Sequence, residues 1–334
     1  MTPMMNNHTY RITLSNILLG LAGLVFILGI WWFGKNNQAL PTGLPEVAVT
    51  ASPAFAKVSI EAKAAFVYDA KTGKEIYNKH ANSQLPLASL TKIMTAVTAL
   101  SFIPEDTILT IDSGFLQGEG DSGLFGDERW KLKDLLDLTL LVSSNDGANA
   151  IADIAGRAAI AMAQSQTATV SEALSVSEPV SNNLARQQFV EAMNKKAVDI
   201  GLTQTYFLNP TGLDENASLS GGYGSARDVA ILFSHAIAKY PELFGATRYA
   251  SRKLISMSDL KHEVRNTNTF VDNIPSLLGS KTGFTDLAGG NLVIAFDAGP
   301  DRPIIVSVLG STEQGRFEDA EKLVYATLDY LNGQ

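Results

Sequence analysis

The sequence predicts an α/β protein of the α+β kind: one antiparallel sheet completed by both ends of a single folded domain, with flanking helices and an all-α subdomain inserted between. Three observations carry this. Two short apolar stretches, 64–68 and 75–77, flank the turn-forming run Asp69-Ala70-Lys71-Thr72-Gly73-Lys74 and read as a hairpin. Three more strand-like stretches, 277–282, 292–296 and 304–309, lie near the other end, with a turn at Ala298-Gly299-Pro300-Asp301. Between the two groups, apolar residues recur at helical spacing.

Ahead of the domain, the run 17–34 (ILLGLAGLVFILGIWWFG) carries no charge and, with Ile12 and Leu14, is long enough to span a bilayer. Trp31 and Trp32 close it where indole rings favour the headgroup layer. A cleaved signal peptide needs small residues directly after its apolar stretch, whereas Ala54-Phe55-Ala56 lies about twenty residues beyond. Residues 12–34 are therefore expected to be an uncleaved single-pass anchor with residues 1–11 as its cytoplasmic tail. Residues 35–58, with Pro41, Pro45 and Pro53, read as a linker, and the folded domain is placed at 59–334. Arg11 before the anchor is balanced by Lys35 after it, so charge does not orient it.

The helices follow in order. Leu90, Ile93, Met94, Val97 and Leu100 predict a buried helix over 87–100. A second covers 132–142, and Asp146 is expected to cap a third running through Ile154, so residues 143–145 occupy a corner. Residues 163–183 (AQSQTATVSEALSVSEPVSNN) have few bulky side chains and read as an exposed, poorly ordered insertion. Helical pattern resumes over 187–200, starts again at Ser225 to run through His235, and closes the chain over 317–331.

Composition removes several functions. A formal charge of -8 lacks the basic excess that tracks phosphate backbones, so nucleic acid is not an expected partner. There is no cysteine, which excludes disulfides, a thiol nucleophile and thiolate metal sites. His8, His80, His235 and His262 are too scattered to predict a metal site, and serine-histidine catalysis is poorly supplied. No cofactor is expected.

Ser89-Leu90-Thr91-Lys92 puts a hydroxyl and an amine on one helix face, so the lysine can reach the serine. Alone the spacing means little, because about one such match arises by chance in a chain of this length. Ser258-Asp259-Leu260-Lys261 is indeed a second. Order gives the discrimination: Ser89-x-x-Lys92 is followed by Ser143-Ser144-Asn145 at a helix corner and by Lys281-Thr282-Gly283 at a strand end. The other matches fail on placement. Lys71-Thr72-Gly73 precedes every candidate serine, Ser258 follows both Ser-x-Asn matches, and Ser181-Asn182-Asn183 lies in the insertion.

The stretches PLASLTKIMTAVTAL, LLVSSNDGANAIA, NPTGLDENASLSGGYGSARDVA and GSKTGFTDLAGGNLV resemble the low-molecular-mass penicillin-binding proteins that act as serine-type D-alanyl-D-alanine carboxypeptidases. The likeness covers about residues 64–330. It implies the penicillin-binding transpeptidase/β-lactamase-like fold, a peptidoglycan stem peptide as substrate and β-lactams as inhibitors. It also implies that Ser89 is the nucleophile, Lys92 its base, Ser143 a proton relay and Asn145 the group orienting Lys92 and the substrate amide. Lys281, Thr282 and Gly283 would line the substrate, with the Phe284 and Ser89 N–H groups forming an oxyanion hole. Arg316 falls near the position of a carboxylate-binding arginine, although from the residue alone a surface charge reads equally well. Gly147 departs from the alanine many relatives carry. No C-terminal β-domain or amphipathic tail follows, which leaves the N-terminal helix as the expected tether. A cell-wall substrate places the catalytic domain outside the cytoplasm.

Two rivals have distinct signatures. A class A β-lactamase shares the three motifs and adds a glutamate, which Glu178-Pro179-Val180-Ser181-Asn182 superficially supplies, though in low-complexity surroundings. A catalytically inactive tethered binding module would have lost core motif residues, and all are present.

Overall fold

A computed structural model describes residues 53–117, 123–164 and 181–333, all within the larger of two units, which spans Thr50–Gln334. The expected anchor at 12–34 and most of the insertion, Glu178 included, lie outside the described residues. Among the described residues no helix is long and apolar enough to cross a membrane.

The elements run β1 (Ala64–Asp69), β2 (Lys74–Lys79), β3 (Leu85–Pro86), α1 (Thr91–Ala99), β4 (Ile108–Thr110), β5 (Arg129–Lys131), α2 (Leu132–Val142), α3 (Asn145–Gln164), α4 (Asn182–Ile200), β6 (Tyr206–Phe207), β7 (Gly222–Gly224), α5 (Ala226–Lys239), β8 (Ser251–Ile255), β9 (Lys261–Arg265), β10 (Leu277–Thr285), β11 (Gly289–Asp297), β12 (Pro303–Ser311) and α6 (Gly315–Asn332). The main sheet has the order β10-β11-β12-β1-β2 with every pairing antiparallel, so the two ends of the domain do complete one sheet.

Both sheet faces are buried, which explains why the central strands read as nearly continuous apolar runs. Ala65, Val67, Ile294, Val306 and Val308 face the layer formed by α6, where Phe317, Leu323 and Val324 pack. Their neighbours Phe66, Val293, Ala295, Ile305 and Leu309 face the helical half, against Ile93 and Val97 of α1 and Phe233 of α5. Alternation of side chains along each strand sends successive residues to the two cores. Strand β10 is left at the sheet edge, beside the turn that leads into α1.

Several boundaries differ from expectation. The first predicted helix opens as a 3-10 turn, Ala88–Leu90, before α1 begins. Helix α3 starts at Asn145 and runs to Gln164, because Ser144 and not Asp146 accepts the first-turn N–H, from Gly147 at 2.8 Å. Helix α4 starts at Asn182, since the Ser181 hydroxyl accepts the Leu184 N–H at 3.3 Å. Packing also begins ahead of residue 59: Phe55 is buried, with its ring 5.2 Å from that of Tyr77. The short strands β3 to β7, of two or three residues each, carry too few residues for a period to register in the sequence.

Candidate active site

Ser89 is held by the turn ahead of α1. The Leu87 N–H donates to Gly222 O at 2.9 Å, and Ala88 takes φ +48°, a left-handed conformation that non-glycine residues seldom adopt. Ser89 stays half-buried while Lys92, one turn further on, is 1% exposed. Lys92 Nζ lies 2.9 Å from Ser89 Oγ, as the three-residue spacing predicts, and donates at 2.7 Å to both Asn145 Oδ1 and Thr211 O. Burial strips hydration from the ammonium and brings its pKa down to about 7.

The corner between α2 and α3 supplies the next pair. Ser143 caps α2 in the left-handed region at φ +62°, where glycine is the usual residue. That single reversal separates the helices and lets Ser143 and Asn145 face the same side. Lys281, 1% exposed on β10, donates at 2.8 Å to Ser143 Oγ and at 2.8 Å to Thr282 O. Its pKa is held well below the ordinary lysine value by burial first, then by the charges of Lys92 and Arg316. The repulsion between the two buried ammonium groups is mutual, so each adds to burial in disfavouring the other's charged form.

Gly283 is required by close approach. A Cβ there would lie 2.8 Å from Leu87 O and 3.2 Å from Ser89 N, so any side chain would wedge β10 away from the nucleophile turn. Thr282 Oγ1 is 2.6 Å from Thr267 Oγ1, and Phe284 is exposed beyond the glycine. Arg316 is buried rather than a surface charge: its Nη1 donates to Gly283 O at 2.8 Å, and its guanidinium packs 4.7 Å from the centre of the Phe317 ring. All nine predicted site residues thus converge on the edge of β10, the α1 turn and the α2–α3 corner.

The rival motif matches do structural work elsewhere. Ser258 Oγ accepts the Arg129 N–H at 3.0 Å at the turn of the β8–β9 hairpin. Thr72 and Gly73 close the β1–β2 turn, where Asp69 Oδ1 accepts the Thr72 N–H at 3.1 Å. Asn182 Oδ1 accepts from Arg157 at 2.5 Å. Sequence reasoning missed Thr211, which touches Lys92 through a backbone carbonyl, and Thr267. The run Asn209-Pro210-Thr211-Gly212 is a turn signal by composition, but nothing in it shows where a carbonyl will point.

Comparison with known proteins follows this geometry. The profile of a peptidase family described as D-alanyl-D-alanine carboxypeptidase matches residues 48–313. The D-alanyl-D-alanine carboxypeptidase DacF of Bacillus subtilis is 32% identical over 270 residues, covering 79% of this chain and 61% of that protein. The carboxypeptidase DacC of Escherichia coli is 28% identical over 279 residues, 80% of this chain and again 61% of the relative, so the chain spans about three-fifths of the length of both. A D-alanyl-D-alanine endopeptidase of Escherichia coli is 29% identical over 297 residues, 85% of this chain and 83% of that one. Among solved structures, penicillin-binding protein D2 of Listeria monocytogenes in its ampicillin-bound form superposes with a TM-score of 0.62 at 25% identity, covering 80% of this chain and 97% of that one. A D-alanyl-D-alanine carboxypeptidase of Mycobacterium tuberculosis gives a TM-score of 0.65 at 24% identity over 81% and 94% of the two chains, a likeness of fold.

Proposed function

Because this chain belongs to the D-alanyl-D-alanine carboxypeptidase family of serine peptidases, we propose that it removes the terminal D-alanine from peptidoglycan stem peptides through an acyl-enzyme on Ser89. The observation that carries the reading is the 2.9 Å approach of Ser89 Oγ to a fully buried Lys92 whose pKa lies near 7, so that a useful fraction is neutral at physiological pH.

Neutral Lys92 takes the Ser89 proton as Oγ bonds to the carbonyl carbon between the two D-alanines. The oxyanion is stabilised by the Ser89 and Phe284 N–H groups, the latter on an edge strand whose outer N–H groups have no sheet partner. The C–N bond then breaks, and the proton passes through Ser143 to the departing amine. Lys281 holds the Ser143 hydroxyl, while Thr282 and Arg316 bind the free carboxylate of the substrate. Water attacks the ester, Lys92 takes its proton, and Ser89 is regenerated. Penicillin meets the same nucleophile and acylates it.

The test is direct: full-length protein is incubated with a peptide ending in D-Ala-D-Ala and with labelled penicillin. Release of D-alanine, with label on the wild type and none on Ser89→Ala, is the expected result. An unlabelled wild type would leave a non-catalytic module. The endopeptidase relative gives a second reading, in which an internal D-alanyl cross-link is the scissile bond, and cleavage of a cross-linked dimer but not the free pentapeptide would select it. We further propose that residues 12–34 tether the domain outside the cytoplasm, on the strength of the uncharged run 17–34. Extraction of the intact protein from membranes by carbonate would overturn the tether.

A further inference from the structure

Lys92 has three close neighbours, and only one of them has a proton to give. A neutral lysine amine carries two N–H bonds and one lone pair. Asn145 Oδ1 and Thr211 O, each 2.7 Å from Nζ, are carbonyl oxygens that can only accept, so they occupy both N–H bonds. The lone pair is left facing Ser89 Oγ at 2.9 Å. The direction in which the base points is therefore set by two carbonyls, and one of these belongs to the backbone.

The placement of that backbone carbonyl depends on Asn209. Asn209 Oδ1 accepts from Thr211 N at 3.1 Å, Thr211 Oγ1 at 3.0 Å and Gly212 N at 2.7 Å. Its Nδ2 donates to Leu213 O at 2.9 Å and Glu215 Oε1 at 2.6 Å, which fills its hydrogen-bonding capacity. The neighbouring Pro210 O accepts from Thr95 Oγ1 at 2.6 Å, pinning the loop to α1 one turn beyond Lys92. Gly212 takes φ +78°, and a Cβ there would fall 1.9 Å from Ala88 O, so the loop lies directly on the nucleophile turn. A left-handed backbone with no room for a side chain can hold one arrangement only, and Asn209 ties it from within.

We propose that Asn209 is a positioning residue for the acyl-transfer step: by fixing the Thr211 carbonyl it aims the lone pair of Lys92 at Ser89. The inference rests on the reading of Lys92 as the base. Asn209 acts only through Thr211, and the carbonyl it sets also stabilises the protonated amine. Losing that alignment therefore lowers the rate and moves the Lys92 titration further down. The other titratable groups facing this region are Lys281 on β10 and, in the loop, Glu215 and Asp214, whose Oδ1 accepts from Thr285 Oγ1 at 3.1 Å.

The experiment is the pH profile of Ser89 acylation by labelled penicillin in the full-length protein. It compares wild type, Asn209→Ala, and a charge-conserving swap in which Asn209→Asp is combined with Glu215→Gln. The swap keeps an oxygen for the three donors and a donor–acceptor pair with position 215, and gives up only the bond to Leu213 O. Asn209→Ala should lose about tenfold to a hundredfold in plateau rate, with its midpoint displaced to lower pH, while the swap stays within about threefold of wild type. An unshifted midpoint in a folded Asn209→Ala protein, whatever its rate, would reduce the residue to a structural role and overturn the proposal. Should Asn209→Ala not fold, Asn209→Gln, whose amide is displaced by one methylene from the Thr211 and Gly212 N–H groups, takes its place under the same criterion: a midpoint displaced to lower pH supports the proposal, and an unshifted one overturns it. If wild type itself is not labelled, the assignment of Ser89 and Lys92 fails first, and this inference fails with it.

Discussion

Arg316 Nη1 donates to the carbonyl oxygen of Gly283 at 2.8 Å, so a buried guanidinium is fastened to the strand that carries Lys281 and Thr282. Its Nε is buried with no hydrogen-bond partner among the described residues, so contact with a carboxylate falls to the Nη donors of the planar group. Arg316→Ala should lower kcat/KM on a D-Ala-D-Ala peptide by about tenfold to a hundredfold, the range expected for a charge-assisted contact. The C-terminal amide of the same peptide should lose far less. Arg316→Lys restores little, because a point charge lacks the fork. Equal losses on acid and amide would show that Arg316 braces β10 and does not read the carboxylate.

Acylation should rise with pH through about 7 and then level, because only neutral Lys92 accepts the Ser89 proton. The sign for stability is the same. Burial lowers the folded pKa below the unfolded value, so between about 7 and 10.5 the unfolded chain binds a proton that the folded chain has released. The contribution of this group to stability therefore increases as pH climbs through that window. Stopped-flow labelling with a chromogenic β-lactam checks the rate limb, and a profile flat from pH 5 to about 9 would remove Lys92 as the base.

The sequence showed the fold class and grouped the candidate residues, but it left the short elements and the backbone contacts around them unread. Ser89 and Lys92 were legible because three residues make about one helical turn, and Ser143 with Asn145 because a helix corner must expose its residues. The sheet was legible at β11 and β12, where nine-residue strands buried on both faces leave long apolar runs. The hairpin of β8 and β9 was not, since its alternation is carried by few apolar residues, among them Leu254 and Val264, between charged neighbours. Thr211 was hidden for a different reason. Its part is played by a carbonyl oxygen, which every residue possesses, so no side-chain pattern can mark it.

Ser143 should show function and stability in opposition. At φ +62° a non-glycine residue costs about 1 kcal/mol or more, and the structure retains it because the hydroxyl meets Lys281 at 2.8 Å. Ser143→Ala and Ser143→Gly both remove the relay and should both slow turnover. They should differ in stability: glycine relieves the backbone and alanine does not, so Ser143→Gly unfolds at higher urea by about 1 kcal/mol relative to Ser143→Ala. Coincident urea curves for the two variants would mean that the left-handed turn carries no strain.

Gly147 and Thr139 meet where α2 and α3 pack behind the site. A Cβ on Gly147 would lie 2.2 Å from Thr139 Oγ1 and 3.2 Å from Ser144 Oγ, at the crossing of α2 and α3. Thr139 is 1% exposed and its hydroxyl has no hydrogen-bond partner among the described residues, so it occupies the space that an alanine methyl would need. Gly147→Ala alone should destabilise by about 1–3 kcal/mol through overpacking, even though alanine is the better helix former. Thr139→Ala should cost little, since removing an unsatisfied buried hydroxyl offsets the lost packing. Together the substitutions open the space that the methyl fills, so the double variant should recover most of the loss. A double-mutant cycle followed by urea unfolding measures this coupling, with more than about 1 kcal/mol expected for groups in direct contact. Additive effects would mean that the helices part to admit the methyl without meeting Thr139. In that case the Ser143 to Asn145 corner, which rides on both helices, should shift with them, and acylation should fall in Gly147→Ala whether or not Thr139 is present.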